Sequence, residues 1–150
     1  MNHRLARVVT MTTLVLTATL VMPLAAEAVC KTYKHRAKLE SDPFKTDLAY
    51  LNLKIRVCYN GKRITKVGAL DITPTFTDNA MSTMRFDGVS PRPITEYRSW
   101  HGRSKGSYYV KAGGNFHQSL WDPLPDSDRY LWASMHIFGN GDVRKNRHNG

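Results

Sequence analysis

Residues 48–73 read LAYLNLKIRVCYNGKRITKVGALDIT, two alternating runs joined by Asn-Gly. In the first run Ala49, Leu51, Leu53, Ile55, Val57 and Tyr59 share one side, and Tyr50, Asn52, Lys54, Arg56 and Cys58 share the other. That two-residue period is the mark of a strand with one buried face. Asn60-Gly61 suits a two-residue type I′ turn, whose central residues both need positive φ. The stretch therefore predicts a β-hairpin in which Tyr59 faces Lys62, Val57 faces Ile64, Leu51 faces Leu70 and Ala49 faces Ile72. In that register apolar side chains meet across the buried face.

Outward from the hairpin the chain keeps this character. Residues 94–100, 107–112 and 130–138 read as strands. The glycine-bearing segment 101–106 reads as a loop, Gly113-Gly114 as a second tight turn with 115–121 returning, and 122–128 as a further loop. Asp87-Gly88 is a turn signal, and Ser90-Pro91-Arg92-Pro93 is a connection, because each proline keeps its predecessor out of the helical region. Thr75–Met84 reads as a loop or short strand, 30–40 as one short helix, and 142–150 as a basic, disordered tail. No segment after residue 28 sustains a 3.6-residue apolar stripe. Short strands punctuated by Gly, Pro, Asn and Asp predict a single all-β domain over 29–141. Its expected form is an antiparallel β-sandwich, with a small β-barrel as the alternative.

Residues 1–28 have another character. The basic MNHRLAR precedes an uncharged apolar run from Val8 to Leu24, and Ala26-Glu27-Ala28 fits the small-x-small cleavage rule. Together these predict a cleaved bacterial-type secretory signal peptide, hence a secreted or extracytoplasmic protein with no membrane span left after cleavage. In an oxidising exterior the two cysteines, Cys30 and Cys58, are expected to form a disulfide bond. A monomer is the expected state.

Charge narrows the partners. The chain carries 22 Lys and Arg against 12 Asp and Glu, so a net charge of +10 favours anionic polymers or surfaces over cationic ones. The excess concentrates at 31–66 and 92–111; in the second segment Glu96 is the sole acid. There Arg98, Arg103, Lys105 and Lys111 interleave with Trp100, Tyr108 and Tyr109, with Phe116 and Trp121 following. Aromatic faces stack on bases or sugar rings while Arg and Lys neutralise phosphates or carboxylates. The candidate binding residues are Arg98, Trp100, Arg103, Lys105, Tyr109 and Lys111. The expected partner is nucleic acid, a wall polyphosphate or an acidic glycan. The competing expectation is that these aromatics mainly fill the core.

Catalytic patterns are weaker. His101, His117 and His136 with Arg103 or Lys105 could serve a metal-free nuclease or toxin-like effector if the strands gather them. There is no G-x-S-x-G elbow, and Glu40 and Glu96 are the only glutamates after residue 28. The carboxylates Asp122, Asp126 and Asp128 match no EF-hand spacing, so no metal or other cofactor is expected. A non-catalytic binding module is the leading expectation, with the nuclease and a protein-interaction module as alternatives.

Overall fold

The computed structural model describes residues 26–41, 46–78, 80, 83–119 and 127–149. Nearly all of the expected signal peptide, together with Trp121, Asp122 and Asp126, lies outside the described residues. Eight strands form two antiparallel sheets. β1 (Val29–Glu40), β2 (Asp47–Tyr59) and β3 (Ile64–Phe76) make a three-stranded sheet in that order. The five-stranded sheet contains β4 (Met84–Val89), β5 (Ile94–Trp100), β6 (Arg103–Gln118), β7 (Ser127–Phe138) and β8 (Val143–His148). It runs β4-β6-β7-β8, and β5 pairs with the same edge of β6 that receives β4 further along. The sheets pack face to face and do not close into a barrel, so the protein is an antiparallel β-sandwich.

The core forms where the two inner faces meet. β2 contributes Ala49, Leu51, Leu53, Ile55 and Val57, the face its alternation predicts. Opposite them lie Val110, Ala112 and Phe116 of β6 and Leu131, Ala133, Met135 and Ile137 of β7. Tyr33 joins the layers: its ring is buried and its hydroxyl donates to the Gly141 carbonyl at 2.9 Å. No helix of the described residues is long and apolar enough to cross a membrane.

Several local expectations are corrected. The hairpin exists, but Tyr59 faces Ile64, Val57 faces Val67, Ile55 faces Leu70 and Leu53 faces Ile72. The turn spans four residues because the Asn60 side-chain oxygen accepts from the backbone N–H groups of Lys62 and Arg63, at 3.2 and 3.0 Å. Beyond it, two register shifts insert extra β3 residues, which keeps Ile64, Val67 and Leu70 turned inward. Residues 30–40 form strand β1 rather than a helix, with Tyr33, Ala37 and Leu39 buried and the lysines between them outward. Lysines on such an edge strand also discourage pairing with another chain.

Gly113-Gly114 is not a turn; β6 runs through it for 16 residues. Side chains are excluded there because the Tyr130 ring lies across Gly113 and the Phe86 ring across Gly114. A Cβ would sit 2.2 Å from the Tyr130 hydroxyl and 2.5 Å from the Phe86 ring respectively. The loop predicted at 101–106 contracts to His101-Gly102, both with positive φ as a type I′ turn requires, and Trp100 faces Arg103 across it. The predicted tail is strand β8, which pairs with β7 from Val143↔Ile137 to His148↔Trp132.

Candidate anion-binding face

The site is built on the outer face of the five-stranded sheet. On β6 the even positions Tyr108, Val110 and Ala112 are committed to the core, so Ser107, Tyr109 and Lys111 are set on the opposite face. Register adds Ile94, Glu96 and Arg98 from β5, Ser134, His136 and Phe138 from β7, and Arg144 and Asn146 from β8. Trp132 and His148 pair on this same face.

Three cations on this face each lie over an aromatic ring. The Arg98 guanidinium is 4.0 Å from the Tyr109 ring centre, the Lys111 ammonium 4.3 Å from that of Trp132, and the Arg144 guanidinium 5.4 Å from that of Phe138. Ring contacts continue from Phe138 to Trp100 at 5.4 Å and to His136 at 4.5 Å, and from His136 to Tyr109 at 6.0 Å. Trp132 stacks on His148 at 6.3 Å with an interplanar angle of 14°. Among the residues named so far on this face the acid is Glu96, whose carboxylate accepts from Arg98 Nε at 2.6 Å; the next acid of the face, Asp128 of β7, lies further along, beside His117. Such a surface offers positive charge and flat π surfaces side by side.

Arg98, Trp100, Tyr109 and Lys111 therefore fall together, as the alternation of β5 and β6 implies. Arg103 sits exposed just past the turn. Lys105 parts from them: its φ is +56°, and its ammonium lies 5.3 Å from the ring of Tyr97. Tyr97 pairs with the buried Tyr108, which places Lys105 at the sheet edge on the other side from Arg98. Phe116 belongs to the core. Trp132, His136, Phe138 and Arg144 join the face from β7 and β8. The alternation of YLWASMHIF marks the first three as one side of a strand, but Arg144 is hidden in what reads as a tail.

The histidines are not gathered into one site. His101 occupies the β5–β6 turn, and the rings of Trp100 and Phe138 intervene between it and His136. His117 lies eight residues along β6 from Tyr109, the partner of His136, which is about 26 Å of strand. There its Nδ1 is 2.8 Å from Asp128 Oδ1. This arrangement gives no shared position for a general base and a general acid built from the three. His136 is instead satisfied locally, with Nε2 2.8 Å from the hydroxyl of the buried Ser107. Burial, then the nearby charges of Arg98 and Arg144, hold His136 below the usual histidine range.

One donor cluster stands apart. Asp87, His117 and Asp128 offer ligand atoms within 4.8 Å of one another. Asp87 Oδ1 already accepts from Arg85 Nε at 2.6 Å, so a guanidinium competes with any cation at that carboxylate.

The lowered histidines carry a pH consequence. His35 is also depressed from its ordinary value of 6.5, chiefly by burial and further by Lys145 and Arg147. For both rings the unfolded chain binds more protons than the folded one between the folded value and 6.5. Their contribution to stability is complete above 6.5 and is lost as the pH falls through the folded values. The melting temperature is expected to drop on acidification below that point, and to drop less in a His35→Gln/His136→Gln variant. Equal acid sensitivity in the two proteins would contradict the assignment.

Comparison with protein-family models, with curated proteins and with solved structures finds no match.

Proposed function

We propose that this protein is an extracytoplasmic, non-catalytic binding module that grips an anionic polymer on the outer face of its five-stranded sheet. The observation that carries the reading is the triplet of ring-mounted cations, Arg98 on Tyr109, Lys111 on Trp132 and Arg144 on Phe138. A cation held over a ring is pre-positioned, so less side-chain entropy is lost when it meets a phosphate or carboxylate. The rings beside it, Trp100, Trp132 and Tyr109, can receive bases or sugars edge-on or by stacking. That pairing favours a polymer with a ring in each repeating unit, a single-stranded nucleic acid or an acidic glycan, over a ringless polyphosphate. The Cys30–Cys58 bond and the basic-apolar-small order of residues 1–28 support a location outside the cytoplasm.

The test is equilibrium binding to a labelled single-stranded oligonucleotide, to an acidic glycan and to inorganic polyphosphate. An Arg98→Ala/Lys111→Ala/Arg144→Ala variant is expected to bind the preferred polymer about ten-fold or more weakly, since charge-assisted contacts are lost. A Lys62→Ala/Arg63→Ala control, altered at the exposed hairpin tip, should lose much less. Equal losses in the two variants would reduce the effect to bulk charge and sink the reading.

A further inference from the structure

The other sheet has a hollow of its own. On the outer face of the three-stranded sheet a depression of about 560 Å³ is lined by Lys34, Arg36, Lys54 and Lys145, with Asn52 and Asp71 among the remaining groups. That volume falls within the range of small-molecule sites. Its charges are not arranged for the fold's benefit. Lys34 and Lys54 are direct cross-strand partners on β1 and β2, and like charges so placed are destabilising. Among the described residues neither lysine has a carboxylate within ion-pair distance, although Asp71 is the β3 partner of Lys54. Four residues further along β1 the fold does neutralise its surface: Lys38 pairs with both Glu40 and Asp47.

The remaining groups specify more than charge. Arg36 lies with its guanidinium 4.6 Å from the Tyr50 ring centre, which fixes it beside the hollow. His35 Nε2 donates to the Asn146 carbonyl at 3.1 Å, which ties β8 to the edge strand and sets Lys145 at the rim. Asn52 spends both amide hydrogens on Thr73 O and Thr75 Oγ1, at 3.1 and 2.8 Å, so its side-chain oxygen is left as an acceptor. Asp71 is a second acceptor. A bare oxyanion would be attracted by the four cations yet meet two acceptors it cannot satisfy. A hydroxylated oxyanion satisfies both sets: its charge meets the cations while its hydroxyls donate to Asp71 and Asn52.

We propose that this hollow binds an anionic sugar, a monosaccharide unit carrying a phosphate or a carboxylate. It lies mainly on the opposite sheet from the polymer-binding face, with only Lys145 of β8 reaching its rim, and does not depend on that reading.

Isothermal titration of the full chain with glucose 6-phosphate, glucuronate, inorganic phosphate and glucose tests it. The sugar phosphate or the uronate is expected to bind more tightly than phosphate or glucose, and the stronger of the two identifies the anionic group. Lys34→Ala/Lys54→Ala should weaken that binding about ten-fold or more. Asp71→Ala should erase the preference over inorganic phosphate. Removing the like-charge pair should leave the melting temperature of the unliganded protein unchanged or raised, so a loss of binding is not a loss of fold. The Arg98→Ala/Lys111→Ala/Arg144→Ala variant should retain the sugar site, which separates the two proposals. Equal affinity for inorganic phosphate and both anionic sugars, or binding indifferent to Lys34 and Lys54, would overturn the inference.

Discussion

Phe116→Ala is expected to destabilise the domain by about 3–5 kcal/mol, the cost of emptying an aromatic site in a packed core. Phe116 is fully buried, and its ring meets Phe76 at 5.9 Å, edge to face, and Phe86 at 5.0 Å. Phe76 ends β3 in one sheet and Phe86 belongs to β4 in the other, so a single ring ties the layers together where the chain crosses between them. Small domains retain only about 5–15 kcal/mol, so the variant should lose a large share of the total. Denaturant titration measures this as a fall in midpoint, with Phe116→Leu falling less because it refills part of the space. A loss below about 1 kcal/mol for the alanine variant would show that the inner faces close over the gap, contrary to this packing.

Removing the disulfide bond should rank next. Cys30 and Cys58 face each other directly across β1 and β2, with sulfurs 2.06 Å apart and a sequence separation of 28. Closing a loop of that length restricts the unfolded chain enough to stabilise the fold by about 3–4 kcal/mol. A Cys30→Ala/Cys58→Ala variant should melt on the order of 10–15 °C lower. The bond also anchors one end of an edge strand, so the loss should fall first on β1, where Lys34 and Arg36 line the hollow. Amide exchange is expected to accelerate in β1 before β2. Melting and exchange unchanged by reduction would contradict both points.

What the sequence discloses and what it hides follow from one physical distinction. Inward positions of β2 are legible because a two-residue period is a property of the strand itself. The pairing of β2 with β3 is not, because the exposed residues Thr65, Lys66, Gly68 and Ala69 accommodate register shifts that leave no mark in the apolar pattern. β1 shows the same two-residue order in Tyr33, Ala37 and Leu39, but His35 interrupts it at an inward position and blurs it towards helix. Gly113-Gly114 reads as a turn because its real cause lies in rings brought by β4 and β7. Within the candidate face, Arg98, Trp100, Tyr109 and Lys111 could be grouped because β5 and β6 are consecutive. Lys105 could not be separated from them, since its positive φ turns it aside. Arg144 and Trp132 enter only through the lateral order of β7 and β8, which no local pattern encodes.

The proposed grip consists of three ring-mounted cations rather than the net charge of the chain. The most direct measurement is the salt dependence of binding to a single-stranded oligonucleotide, compared between the native protein and Arg98→Ala/Lys111→Ala/Arg144→Ala. Each phosphate contact contributes a slope of about 0.7 in log affinity against log salt for single strands. The variant should therefore show a slope shallower by about 2, while Lys62→Ala/Arg63→Ala keeps nearly the native value. Indistinguishable slopes for the native protein and the triple variant would contradict the assignment of this face as the anion-binding surface.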